Sequence, residues 1–240
     1  MKTYEKKPCT ILQDCNIVFM NNIIAINKPL GPTSHDIVDE VRKITKERRV
    51  GHAGTLDPLA SGVLVIGIGR QATRQLSQIV KGKKEYKAEI ILGKISTTDD
   101  AEGEKTDVSE TAPDKSKILK ILQDFVGIIE QVPPAYSAIK QKGVRAYSLA
   151  RAGVKVKLAA RIVAVEKVEL IFYNWPVLKI LVVCGPGVYI RSLARDIGKL
   201  LGCGGYLGAL ERTAVGDFTL KDAKTVEEFA KEFKKGSLSA

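Results

Sequence analysis

The chain predicts an α+β fold, a mixed sheet flanked by helices, and three observations point there. Strand-like and helix-like segments are interspersed over the whole length without strict βαβ alternation. The apolar runs are strand-sized, as at residues 22–27 and 63–68, or follow a helical stripe, as at residues 190–201. No stretch rich in Gly or Ser divides the 240 residues, so a single domain is expected over 21–240 after a lead-in of residues 1–20.

Taken in order, Asn22-Ile23-Ile24-Ala25-Ile26-Asn27 reads as a buried strand, stopped by Lys28-Pro29 and the turn Leu30-Gly31-Pro32. Thr33 or Ser34 can cap a helix that carries Ile37, Val38, Val41 and Ile44 on one face. A glycine-rich connection from Gly51 to Gly62 leads into Val63-Leu64-Val65-Ile66-Gly67-Ile68, and a short amphipathic helix follows near residues 71–80. Residues 84–92 alternate as a strand, Ser96 to Glu104 is an acidic loop, and residues 114–126 make another amphipathic helix. Val132-Pro133-Pro134-Ala135-Tyr136 cannot lie inside a helix because of its prolines. Residues 161–172 and 177–184 read as adjacent strands that turn at Asn174-Trp175-Pro176. After Gly185-Pro186-Gly187 comes a helix with Ile190, Leu193, Ala194, Ile197 and Leu201 as its apolar stripe, and residues 225–234 are the last amphipathic piece.

Thirty-eight Lys and Arg against 27 Asp and Glu give a net charge of +11, which favours a polyanionic partner, either nucleic acid or an acidic membrane surface. No apolar run approaches the roughly 18 residues of a membrane span. The N-terminal residues lack the apolar core of a signal peptide, so a cytoplasmic protein with reduced thiols is expected. Cys9, Cys15, Cys184 and Cys203 form no CxxC pair and no paired spacing with His35 or His52, which argues against structural zinc. Gly67-Ile68-Gly69 lacks the third glycine of a dinucleotide fingerprint. No metal and no cofactor is therefore expected.

Three stretches can carry chemistry. In Gly54-Thr55-Leu56-Asp57-Pro58, a carboxylate lies between a glycine-bearing turn and a proline, a backbone of limited freedom that positions a reactive side chain in advance. Taken alone, Asp57 reads more simply as the cap of a turn or helix. In Gly187-Val188-Tyr189-Ile190-Arg191, the arginine falls in the first turn of a helix, where the dipole disfavours a cation unless a carboxylate or phosphate lies nearby. Arg191, Arg195 and Lys199 also recur at helical spacing, which a solvated face would explain as well. Tyr86, within an alternating charged strand, is either core or a stacking surface for a base. A hydrolase using Asp57 and His52 lacks a Gly-x-Ser-x-Gly elbow, and an RNA-folding module without catalysis is a further alternative.

In sequence order the chain carries Asn27-Lys28-Pro29-x-Gly31-x-Thr33-Ser34 and Gly51-His52-x-Gly54-Thr55-Leu56-Asp57-Pro58-x-Ala60-x-Gly62. Lys84-x-Tyr86-x-Ala88, Leu92-Gly93, Asp100-x-x-Gly103 and Pro133-Pro134-x-Tyr136-Ser137 follow. Gly187-x-Tyr189-Ile190-Arg191-Ser192-Leu193 and Leu210-x-Arg212-Thr213 close the series. From about Asn22 to about Phe218 this wording resembles the TruB-type tRNA pseudouridine synthases, and the continuation Pro58-Leu59-Ala60-Ser61-Gly62 resembles their stand-alone bacterial branch. The resemblance implies a largely antiparallel central sheet and conversion of uridine to pseudouridine in the T loop of tRNA, at the position conventionally numbered 55. It implies a cofactor-free reaction; a monomer with no obligate protein partner and no membrane is the default expectation. Asp57 matches the catalytic aspartate, Arg191 the arginine that pairs with it, and Tyr86 the aromatic residue packed on the uracil. Leu210 matches an apolar wall of the base pocket, and Tyr189 falls in the same substrate site. His52 matches a residue that fills the space left by the flipped base, and Lys28 and Arg74 match phosphate-contacting cations. Two departures stand out: residues 219–240 are too few for the family's C-terminal RNA-binding module, and Val188 replaces a small hydroxyl residue.

Overall fold

The computed structural model of the chain describes residues 22–137, 139–141, 143–154 and 156–238; the lead-in of residues 1–20 lies outside them. The contacts cluster into two compact units, one running up to Val80 and resuming at Asp217, the other from Lys81 to Gly216.

The first unit opens with β1 (Ile23–Lys28), α1 (Ser34–Thr45), β2 (Val50–His52), β3 (Ala60–Ile68) and α2 (Gly69–Ile79). β1 pairs antiparallel with β3 from Ile23 opposite Gly67 to Lys28 opposite Gly62, and β2 pairs with the end of β3. Both long strands are apolar without alternation because both of their faces are buried. Of the two candidate caps, Thr33 is the one used. Its hydroxyl accepts from the Asp36 N–H, and the Asp36 carboxylate accepts from the Thr33 N–H in return. Ser34 is thereby the first helical residue, turned inward and 2% exposed. α1 buries Ile37, Val38 and Val41, the face its period predicts, while Ile44 is half-buried.

The second unit is built on β4 (Lys84–Leu92). A small hairpin, β5 (Lys94–Ser96) with β6 (Lys105–Asp107), brackets the expected acidic loop, and α3 (Lys115–Asp124) and β7 (Gly127–Gln131) follow. After β8 (Lys140–Gln141), β9 (Val144–Arg145) and α4 (Ala146–Arg151) come the long strands β10 (Arg161–Asn174) and β11 (Val177–Cys184). The unit ends with α5 (Ile190–Leu201) and β12 (Gly205–Val215). Its sheet runs β12-β4-β11-β10-β7 with every neighbouring pair antiparallel, as expected of a largely antiparallel α+β fold. Central β4 alternates, with Lys84, Tyr86, Ala88, Ile90 and Leu92 buried. β12 takes the place beside it, although no strand was expected there. α5 lies very close to the start of β12: a Cβ on Gly198 would sit 2.2 Å from the Gly205 nitrogen. Only glycine permits that approach, which fixes the height of α5 over the sheet.

The chain returns to the first unit as β13 (Phe218–Thr219) and α6 (Val226–Leu238). Lys224 joins β1 through its backbone, accepting from the Asn27 N–H at 2.8 Å and donating to the Ala25 carbonyl at 3.1 Å. Phe229 anchors α6 in the core of this unit.

Candidate active site

In the first unit, Asp57 sits on the loop between β2 and β3. Gly54 turns the chain there with φ of +92°, a conformation that favours glycine. The Ala60 N–H donates to the Asp57 carbonyl at 3.0 Å, so Asp57 opens a tight turn with Pro58 in its second position. Asp57 thus opens the turn through its backbone, and the element that follows is the strand β3, not a helix. Two further ties hold the loop. The Ser34 hydroxyl accepts from the Leu56 N–H at 2.8 Å and donates to the Leu56 carbonyl at 2.9 Å. The Gly31 N–H donates to the Pro58 carbonyl at 2.9 Å. The residues on either side of Asp57 are therefore fixed through their backbones, and its own side chain stays half-buried.

The same unit carries His52, half-buried at the end of β2, and Arg74, exposed on α2. Lys28, matched to a phosphate-contacting cation, lies at the end of β1. Its side chain is fully buried, and Nζ donates to the carbonyls of Pro29 and Pro32, each at 2.8 Å. It braces the turn ahead of α1 from inside.

In the second unit, Tyr86 and Leu210 share one face of the sheet. Tyr86 lies opposite Arg212 and Val182, and two residues along the same strand Ala88 lies opposite Leu210. Tyr86 is buried and Leu210 half-buried, so a polar aromatic and an apolar wall stand side by side. Arg191 is buried in the first turn of α5. Its guanidinium donates to the Asp100 carboxylate at 3.2 Å and to the Tyr136 carbonyl at 2.9 Å. Asp100 is the carboxylate that a cation in a first helical turn calls for. It is almost fully buried and accepts from the Thr98 hydroxyl and the Glu102 N–H as well. The solvated-face alternative for Arg191, Arg195 and Lys199 fails for the first, holds for exposed Lys199, and is replaced at half-buried Arg195 by ion pairs to Asp99 at 2.8 Å and Asp196 at 2.9 Å.

Burial pushes the Asp99 carboxyl up from its ordinary value, against the opposing pull of Arg195. For Arg195, burial disfavours the charge, but the hydrogen bond to Asp196 and the charge of Asp99 outweigh it and leave the group raised. Burial, helped by the nearby Arg212 charge, pulls the Lys84 ammonium down. Burial pushes the Cys184 thiol up to about 12, so it is not a nucleophile near neutral pH. Among the described residues, no group of three or more His, Cys, Asp or Glu is placed to hold a metal ion.

A family model described as TruB family pseudouridylate synthase, N-terminal domain, matches residues 42–190, and one described as tRNA pseudouridylate synthase B C-terminal domain matches residues 191–238. The chain belongs to the TruB family of pseudouridylate synthases. A tRNA pseudouridine synthase B of Thermobifida fusca is 45% identical over 225 residues, covering 89% of this chain and 75% of its own. One of Dehalococcoides mccartyi is 46% identical over 206 residues, covering 85% and 68%. Among solved structures, a chain of an H/ACA ribonucleoprotein bound to a substrate RNA containing 2′-deoxyuridine superposes with a TM-score of 0.66 at 28% identity. This chain spans about half of that one, 52%, with 87% of its own length covered.

Within this TruB-family chain, several residues of the site gave no signal of what they contact. Ser34 was visible as a candidate cap and as the end of the word closing on Thr33-Ser34, and Asp100 as the start of Asp100-x-x-Gly103 in an acidic loop, with nothing local to name their partners. Gln131, whose side chain meets the backbone of Tyr189, is 58 residues away from it in sequence and carries no pattern at all.

Proposed function

We propose that this chain isomerises uridine to pseudouridine in tRNA, at the T-loop position conventionally numbered 55, with Asp57 as the acting carboxylate. The observation that carries the reading is the family match over residues 42–238, which takes in the fixed loop of Asp57, the Tyr86–Leu210 face and buried Arg191. In the reaction the bond from uracil N1 to the ribose C1′ breaks, the ring turns, and C5 bonds to the same C1′. The hydrogen leaving C5 is balanced by one gained at N1, so no atom or electron is exchanged with a third party, and neither metal nor dinucleotide is called for.

A carboxylate suits such a step as nucleophile or base, at sugar or ring. Tyr86 offers a ring to pack on the uracil and a hydroxyl to move a proton, and Leu210 offers the apolar side of the same pocket. Arg191, its guanidinium held by Asp100 and the Tyr136 carbonyl, is assigned as the cation of the reaction. The target uridine has to leave its stack, at a cost of a few kcal/mol. His52 then fills the vacated space and Tyr189 lines the substrate. Arg74, exposed on α2, contacts phosphate, and the net charge of +11 supports sequence-independent attraction. We assign the reaction to a cytoplasmic monomer. No helix among the described residues is long and apolar enough to cross a membrane.

The test is incubation with an unmodified tRNA transcript followed by chemical mapping of pseudouridine. The expected product is one pseudouridine in the T loop. Free uracil in its place supports a hydrolase, and binding without product supports an RNA-folding module; either result overturns the proposal.

A further inference from the structure

Arg191 is held at its guanidinium by Asp100 and Tyr136, but where that guanidinium lies also depends on where α5 begins. Tyr189 is the N-cap of α5, and its own side chain makes no capping hydrogen bond. The cap is supplied from another element. The Gln131 side-chain oxygen accepts from the Tyr189 N–H at 2.8 Å, and the Gln131 side-chain nitrogen donates to the Tyr189 carbonyl at 3.1 Å. That carbonyl also accepts from the Leu193 N–H at 3.1 Å, the first turn of the helix itself. Gln131 is 2% exposed, so its amide is committed to this contact and exchanges little with water.

One planar amide thus grips both polar groups of one residue, as a neighbouring strand would. A single hydrogen bond leaves the chain free to pivot about it; two in one plane fix both position and rotation. The next residue of the same segment repeats the attachment. The Val132 carbonyl accepts from the Ser192 hydroxyl at 2.8 Å and from Arg195 at 2.9 Å. Residues 131 and 132 therefore bracket Arg191 on both sides along α5, through Tyr189 before it and Ser192 after it. Neither contact touches the guanidinium.

We infer that Gln131 is a positioning residue for Arg191: its amide sets the start of α5, and through it the place and angle of the guanidinium. The inference rests on the proposal that Arg191 serves the isomerisation. Misplacement of a reacting group by about 1 Å costs on the order of a hundredfold in rate, with little change in ground-state binding. Gln131→Met keeps length and volume while removing both hydrogen bonds. It should lower kcat about 30- to 100-fold while KM for tRNA stays within about threefold.

The experiment that tests this measures kcat and KM on a tRNA transcript for wild type, Gln131→Met, Arg191→Lys and the double variant. If Gln131 acts through Arg191, Gln131→Met costs several-fold less in the Arg191→Lys background, because the fork it positions is gone. Equal costs in both backgrounds, or a loss confined to KM, overturn the inference. Should Gln131→Met not fold, Gln131→Glu answers the same question. A protonated carboxyl offers the donor and acceptor of the amide, whereas a carboxylate offers no donor to the Tyr189 carbonyl. Its kcat relative to wild type should therefore rise several-fold from about pH 8 to about pH 5.5, and a flat ratio overturns the inference. A wild type that makes no pseudouridine would sink the proposed function itself, a result distinct from active wild type with indifferent Gln131 variants.

Discussion

The loop of Asp57 and the guanidinium of Arg191 show two different kinds of tie. The loop of Asp57 is tied through backbone on both sides of that residue: Ser34 holds Leu56, and Gly31 holds Pro58. Around Arg191 the hydrogen bonds go to the side chain itself, with Asp100 and the Tyr136 carbonyl on the guanidinium, and Gln131 a step further back. The contrast follows from the groups. A short carboxylate has one rotatable bond before its carbonyl carbon, so fixing the peptide around it fixes nearly everything. A long guanidinium has four, and only contacts at its far end hold it. Exposure follows the same line, since Asp57 is half-buried and the Arg191 side chain is 9% exposed.

That contrast sets an order of effects. Arg191→Ala removes the charge at the reacting centre and should lower kcat by about 10²–10³-fold, measured by pseudouridine formation under single-turnover conditions. A loss under about fivefold would mean that the anchored guanidinium serves the fold only. Asp100→Asn leaves a buried cation short of its counter-charge and should cost about 3–5 kcal/mol of stability, read from the urea midpoint. Ser34→Ala removes only the latch on Leu56 and leaves its buried N–H unsatisfied, for about 1–3 kcal/mol by the same measurement. If Ser34→Ala proves the more damaging of the two, the side-chain anchor is not the tighter one. Smallest is Arg74→Ala, outside both anchors. It should leave the urea midpoint unchanged, weaken tRNA binding a few-fold, and reduce the salt slope of binding by about one. An unchanged slope would take Arg74 off the RNA surface.

The two regions were also unequally legible. Asp57 lies in a local word, and its turn is written in Gly54 and Pro58 directly. β4 was readable to the residue because its alternation is regular, and α1 and α5 because their stripes are. β12 was not, although it carries Leu210. Its sequence breaks step at irregularities between Leu207 and Ala209 and between Arg212 and Ala214, and Glu211-Arg212 interrupts its apolar character. The partners of Arg191 were hidden for a different reason. Asp100 is 91 residues from it, and the Gln131–Tyr189 contact spans 58, distances over which no period or spacing survives. What could be read was the need: a cation in a first helical turn asks for a carboxylate, and the fold supplies one. The burial of Lys28 was likewise not legible, since its carbonyl partners follow from the turn at Pro29 and Pro32 and not from any pattern of the strand.

The central claim is that the carboxylate of Asp57 performs the isomerisation, and Asp57→Asn tests it most directly because it changes one atom and leaves the backbone ties intact. Binding to an unmodified tRNA transcript and pseudouridine formation would be measured on the same preparation. The account expects binding within about threefold of wild type and product reduced by at least about a thousandfold. Product at a rate near that of wild type would contradict it.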